Sequence, residues 1–307
     1  MRICSTIPSA TEILYSLGLG DQIVGVSYAC DYPEAAQRKP LIVTGVVDYR
    51  HTRSDRIDGM VLDALRRGQS LYQVDLEVLR DTRPELVVTQ NLCDVCAVTV
   101  DDVRAAVREL SPPPRIVSLH PHTLQDMLDD ILAVGRATGT EATALELVRN
   151  LRLRLDTVRS RTEAAAARPR VLCVEWLKPL MTAGHWVPEM VASAGGQAGL
   201  AEAGKPSVYV AWDVIRAYQP DLILFMPCGL SASRTRQEVE LVTGLEGWAT
   251  LPAVANGRVF IVDGNAYFNR SGPRLVDGVE MLAGLIHPEL GPWPPAPEGA
   301  VLPLGPV

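Results

Sequence analysis

The 307-residue chain contains no run of about 18 apolar residues, so no segment reads as a helix long enough to cross a bilayer. Clustered basic residues are also missing. Lys and Arg number 29 against 36 Asp and Glu, and the net charge of −7 argues against a nucleic-acid surface or a polybasic membrane anchor. At the N-terminus Met1-Arg2-Ile3-Cys4 runs straight into Ser5, Thr6, Pro8, Ser9, Thr11 and Glu12, without the apolar stretch and small-residue cleavage site of a secretory signal. The expectation is a cytoplasmic protein, or a periplasmic one if a leader was trimmed. In a reducing compartment its six cysteines would be thiols or metal ligands, not disulfides.

Enzyme signatures are scarce too. There is no GxSxG elbow and no GxGxxG. Gly199-Leu-Ala-Glu-Ala-Gly204-Lys205 has phosphate-loop spacing, but Pro206 replaces the required Ser or Thr and no strand leads into it. Asp94 and Glu175 are acids without an evident catalytic partner, so a binding protein is favoured over an enzyme.

What is present is an ordinary globular composition, 47% hydrophobic and 21% charged, in a chain long enough for two cores. Strands are expected at 2–7, 23–27, 86–88, 116–119, 171–174, 222–225 and 259–262. Helices are expected after Pro8, with Ser9 or Thr11 as cap, and at 76–83, 99–110, 123–138, 187–194, 212–218, 237–244 and 273–286. Residues 34–68 show no clear periodicity. From Thr140 to Arg168 there is neither Gly nor Pro, and Ala144, Leu147, Val148, Leu151, Leu155 and Val158 repeat on one helical face. A helix of about 25 residues would measure roughly 37 Å, enough for a strut between lobes. The Pro-rich stretch 288–307 reads as an extended or partly disordered tail.

The halves also match each other. Glu77-Val-Leu-Arg-Asp-Thr-Arg-Pro-Glu-Leu-Val-Val lies over Asp213-Val-Ile-Arg-Ala-Tyr-Gln-Pro-Asp-Leu-Ile-Leu, and Glu12-Ile-Leu-Tyr-Ser-Leu-Gly over Glu189-Met-Val-Ala-Ser-Ala-Gly. The fold class is therefore α/β: two doubly wound lobes with parallel sheets, joined by one long α-helix, with a ligand cleft between the lobes. The boundaries are 1–122 for the first lobe, 123–168 for the helical connector, 169–287 for the second lobe and 288–307 for the tail.

The turn Pro8-Ser-Ala-Thr-Glu12, the strand Val24-Gly-Val-Ser27 followed by Asp31-Tyr-Pro33, the two helix-Pro-acid-strand units and the long helix together resemble the periplasmic binding proteins for cobalamin and iron-siderophores. The resemblance spans roughly residues 2–287 and is nearest the cobalamin-binding branch. It implies a corrinoid or similar metal chelate as ligand, lobes that move little, and an ABC permease as partner if the protein is exported. A cytosolic relative would instead hold, store or sense a cofactor. A monomer is expected.

Candidate ligand-binding residues are Pro8, Ser9, Ala10 and Thr11 in the first turn, and Asn91, Glu175, His185 and Met226 near later strand ends. The aromatics Tyr28, Tyr72, Trp176, Trp186, Tyr267 and Phe268 complete the set as packing surfaces for a flat ligand. His120 and His122 flank Pro121 and read as structural. Cys30, Cys93, Cys96 and Cys228 also follow strands, and thiolates with CxxC spacing suit zinc or an Fe–S cluster. A redox pair at Cys93 and Cys96, or plain packing, competes with that reading. Cys4 and Cys173 lie in strands and read as core. The alternative to a chelate-binding protein is thus a cytosolic metal or Fe–S protein, with or without enzymatic activity.

Overall fold

The computed structural model describes residues 1–47, 52–92 and 97–305. It contains two compact units. Unit 1 comprises Met1–Thr52, Gly59–Pro121 and Gln125–Asn150, and unit 2 comprises Arg53–Asp58, His122–Leu124 and Leu151–Val307. No helix among the described residues is long and apolar enough to cross a membrane.

The first unit is built from β1 (Ile3–Ser5), α1 (Pro8–Ser16), β2 (Ile23–Ser27), β3 (Leu41–Gly45), α2 (Ser54–Arg66), β4 (Tyr72–Val74), α3 (Leu76–Thr82), β5 (Leu86–Gln90), α4 (Val100–Arg108), β6 (Arg115–Leu119) and α5 (Leu124–Thr138), except that Ser54–Asp58 of α2 and Leu124 of α5 fall in unit 2. Its sheet has the order β4-β3-β2-β1-β5-β6, parallel throughout except for the edge strand β4. Elements β3 and α2 fill the region that shows no periodicity in sequence. In α2, Ile57 and Val61 face inward, but Met60, Leu62 and Leu65 are exposed, so its apolar residues extend beyond the buried face.

Gly139, at φ +75°, ends α5 and lets α6 (Glu141–Thr162) start. This helix of 22 residues, roughly 33 Å long, begins in unit 1 and contributes its residues from Leu151 onward to unit 2. Ala144, Val148, Leu151, Leu155 and Val158 are all buried, as their spacing predicts. Arg154, on another face, donates to Asp277 at 2.5 Å and to both oxygens of Glu280 at 2.6 and 2.9 Å. From Gln125 onward α5 lies in unit 1, and α6 is divided between the two units.

Unit 2 continues with β7 (Val171–Leu177), β8 (Leu180–Thr182), α7 (Val187–Ser193), β9 (Val208–Tyr209), α8 (Trp212–Tyr218), β10 (Leu222–Phe225), α9 (Ala232–Arg236), α10 (Glu240–Thr243), α11 (Pro252–Ala255), β11 (Val259–Val262), α12 (Gly264–Tyr267), α13 (Leu275–Ile286) and β12 (Val301–Pro303). The sheet order is β12-β11-β10-β7-β8-β9. Only β11, β10 and β7 are mutually parallel. Two residues join β7 to β8, too few for a parallel crossover, so β8 returns antiparallel and β9 pairs antiparallel with it. The tail is not loose over its whole length. Its β12 adds an antiparallel edge strand beside β11, with Leu302 packed on the core, and Trp293 donates its indole N–H to the His287 carbonyl at 2.8 Å.

The sequence duplication corresponds to one repeated circuit. Helices α3 and α8 both end in left-handed residues, Arg83 (φ +40°) and Gln219 (φ +52°), immediately before Pro84 and Pro220. The following acid then binds the arginine that leads into the first strand. In unit 1 the Arg2 amide donates to Glu85 at 2.7 Å, and Arg2 Nε donates to the Thr82 carbonyl at 2.8 Å. In unit 2 the Arg170 amide donates to Asp221 at 2.8 Å, its guanidinium makes two further bonds to that carboxylate at 3.0 Å, and Nη1 donates to the Tyr218 carbonyl at 2.9 Å. The two copies differ in strength. Asp221 accepts three bonds and is 38% exposed, whereas Glu85 is 63% exposed.

Substituting Asp221→Asn should therefore cost about 2 kcal/mol, as for charge-assisted hydrogen bonds. Glu85→Gln should cost less than about 1 kcal/mol. The Arg170 guanidinium holds the Asp221 carboxyl below the usual range. Its stabilisation is present above the ordinary Asp range and is lost as pH falls through the depressed folded value. Denaturant titrations of both variants at neutral and acid pH check this; equal losses at neutral pH would contradict it.

Candidate functional site at the strand ends

In unit 1 the residues after β1 form a rigid start to α1. Pro8 occupies the first turn, and the N-cap residue Ile7 makes no side-chain cap bond. Neither Ser9 nor Thr11 caps the helix, because a proline with fixed φ already suits that position. Ser9, Ala10 and Thr11 are instead buried, which leaves Pro8 as the half-exposed member of the set. The Thr11 hydroxyl lies 2.8 Å from Ser5 Oγ and 3.1 Å from Cys30 Sγ. Cys30 is thus an interior thiol packed against α1, not an open ligand position, and it is 3% exposed.

Beyond β2 and β3 the chain builds an aromatic pair. The Tyr28 and Tyr72 rings lie 6.5 Å apart at 32°. Gly45, at the end of β3, makes room for Tyr28: a Cβ there would stand 2.8 Å from the tyrosine oxygen. Tyr28 is half-buried and Tyr72 is buried. Past β5, Asn91 is exposed, with its amide bonded to the Leu119 carbonyl and its own carbonyl facing His120 Nδ1 at 3.3 Å. Cys93, Asp94 and Cys96 lie outside the described residues.

In unit 2, β7 runs three residues further than the sequence suggests, so Glu175 and Trp176 are strand residues. Ser207 Oγ donates to Glu175 Oε2 and accepts the Gly184 amide at 3.0 Å. Burial pushes the Glu175 carboxyl up, opposed by its bonds to Ser207 and Gly184. Trp176 is half-buried, and its indole nitrogen has no hydrogen-bond partner. Met226 and Phe268 are fully buried and Trp186 is 5% exposed; the Trp186 indole donates to the Phe268 carbonyl at 2.6 Å. These three side chains belong to the core of the unit. Their apolar surface is worth more inside than at a strand-end loop. Tyr267 and Cys228 are half-buried at the ends of α12 and β10, and the Arg274 guanidinium lies 5.4 Å from the Tyr267 ring centroid.

His185 follows β8 and stands at φ +52°. Its ring lies 5.9 Å from that of His122 and 5.7 Å from that of Trp186. Burial lowers its pKa, and His122 lowers it further. Sequence reasoning assigned His122 a structural role and gave no role to Lys205 or Ser207. The backbone of this 204–207 segment holds His185 in place, with the His185 amide donating to the Lys205 carbonyl at 2.6 Å. A turn that meets residues some 20 positions away leaves no local signature.

A family model described as periplasmic binding protein matches residues 3–266. The chain belongs to that family. The chain is similar to the vitamin B12-binding protein of Vibrio cholerae, at 25% identity over 92% of this chain and 87% of the relative. It is similar, too, to an uncharacterized ABC transporter substrate-binding lipoprotein, YvrC, of Bacillus subtilis, at 24% identity over 94% and 80% of the two chains. Among solved structures, a periplasmic heme binding protein from Pseudomonas aeruginosa superposes with a TM-score of 0.71, covering 98% of this chain and 96% of that one at 19% identity. That last likeness establishes the fold.

Of the four cysteines read in sequence as one metal centre, two lie among the described residues. Cys30 is interior, Cys228 is half-buried, and Cys93 and Cys96 fall outside the described residues. Burial pushes the core thiols Cys4 and Cys173 up to about 11 and about 12, so both stay protonated and inert at neutral pH. Among the described residues no group of three or more His, Cys, Asp or Glu side chains is placed to hold a metal ion.

Proposed function

We propose that the protein binds a corrinoid, or a closely related metal-centred macrocycle, and presents it to an ABC permease. The observation that carries this reading is the match to a vitamin B12-binding protein along 92% of the chain. The exposed and half-exposed groups at the strand ends suit such a ligand. Tyr28, Trp176 and Tyr267 offer apolar faces with polar tips, and Asn91 offers an amide to polar substituents. The protein works as a monomer, one macrocycle per chain. The relatives named above are binding proteins, which gives no support to a cytosolic enzyme. Fe–S or zinc ligation by Cys93, Cys96 and Cys228 is a second, weaker reading, and the interior position of Cys30 counts against its four-thiolate form.

Protein purified anaerobically, analysed for cobalt, iron and zinc, and then titrated with cobalamin and with haem tests the reading. Stoichiometric cobalamin binding in the micromolar range or tighter is expected, weakened about fivefold by Tyr28→Ala through loss of an aromatic contact worth roughly 1 kcal/mol. Bound iron or zinc at stoichiometry, together with no cobalamin binding, would overturn it. The permease role requires the native protein outside the cytoplasmic membrane, and a cytosolic one would hold or sense its cofactor instead. Fractionation of the native protein decides between these settings.

A further inference from the structure

We propose that His122 and His185 form a binding site for a divalent transition-metal ion. Both residues belong to unit 2. The inference does not depend on the solute proposed above.

The position of His185 is held against a backbone cost. A non-glycine residue at φ +52° sits in the left-handed region, which is disfavoured for a side chain with a Cβ. Three hydrogen bonds keep it there: the His185 amide to the Lys205 carbonyl at 2.6 Å, the Gly204 amide to the His185 carbonyl at 2.8 Å, and the Gly184 amide to Ser207 Oγ at 3.0 Å. Trp186 flanks the imidazole on one side. The ring so placed carries a defect, because its Nδ1 is buried without a hydrogen-bond partner. An unmade bond at a buried polar atom leaves its desolvation uncompensated. A cation bonded to that nitrogen would remove the defect.

The second imidazole stands at the distance such a cation requires. Metal–nitrogen bonds of about 2.0–2.1 Å at tetrahedral angles put two imidazole centroids roughly 5–6 Å apart. The observed separation is 5.9 Å, with the planes 45° apart. His122 is fixed by the same framework. Two residues on, the Leu124 amide donates to Glu189 Oε2 of α7 at 2.8 Å, and Thr123 lies near Gly204. Imidazole donors suit zinc, copper, nickel and cobalt and do not suit magnesium or calcium. Two protein donors leave the remaining positions to water or a bound solute.

Metal-stripped protein titrated with Co(II) and Zn(II) against a chromophoric competitor tests the site. One ion per chain is expected, with His122→Asn and His185→Asn each weakening binding at least tenfold. Asn tolerates the left-handed backbone at position 185, so that variant keeps the fold, which circular dichroism checks. His120→Asn serves as control and should bind like the unsubstituted protein. Failure of the unsubstituted protein to bind either ion, or binding that survives loss of His122 or of His185, overturns the proposal.

Discussion

Phe225→Ala is expected to destabilise unit 2 by about 3–5 kcal/mol, the range for deleting a buried aromatic side chain. Phe225 is fully buried at the end of β10, the middle member of the three parallel strands. It packs in a cluster with Val174, Ile215, Ile223, Leu251 and Ile261, and its ring lies 6.0 Å from that of Trp248. Trp248 in turn stacks on Trp212 at 6.3 Å, so the cavity would open where helix and sheet layers meet. Few neighbours there can collapse into it. Phe225→Leu keeps most of the volume and should cost less than about 1.5 kcal/mol. Denaturant unfolding followed by tryptophan fluorescence reads both. A loss below about 1 kcal/mol for the alanine variant would show that this cluster is not the core of the unit.

A second large effect should come from one added methyl group. In Gly184→Ala the new Cβ would stand 2.5 Å from the Lys205 carbonyl oxygen and from the Pro206 carbonyl carbon. Both are backbone atoms, which cannot rotate away as a flexible side chain would. Overpacking of this kind costs about 3 kcal/mol, and relief would require the 205–207 segment to leave His185. Gly59→Ala in α2, where no atom lies within 4 Å of the new Cβ, is the matched control and should be neutral or stabilising by up to about 1 kcal/mol. If both substitutions have the same effect on the unfolding midpoint, the close approach at Gly184 does not exist in solution. If Gly184→Ala is as damaging as expected, metal affinity at His185 should fall with it.

Much of the architecture is legible in the residues because it rests on local rules. The stripe from Ala144 to Val158 is periodic because one face of α6 is buried along its length. Thr99 caps α4 through a 3.0 Å bond from the Asp102 amide. The register between 77–88 and 213–224 survives because each copy must close a helix, turn at a proline and anchor the next strand with an acid. Residues 34–68 resist reading for the opposite reason: in α2 the apolar Met60, Leu62 and Leu65 are exposed beside the buried Ile57 and Val61.

The candidate site is less legible. Aromatic residues near strand ends look alike in sequence whether they face a solute or fill a core. Tyr28 and Tyr267 keep exposed surface, while Trp186 and Phe268 are buried, the Trp186 indole N–H being satisfied by the Phe268 backbone carbonyl. Cys30 is placed by a threonine 19 residues earlier, which no spacing rule reports.

The sequence by itself determined the two-unit α/β plan, the repeated helix-proline-acid-strand element and the membership in a family of binding proteins. These follow from periodicity, turn chemistry and pattern, all short-range properties of the chain. The tertiary structure decided which side chains are buried, turned the tail into β12, returned β8 antiparallel and brought His122 to within 5.9 Å of His185. Those outcomes depend on contacts between residues far apart in sequence, where burial and unpaired polar atoms, and not local propensity, set the free energy.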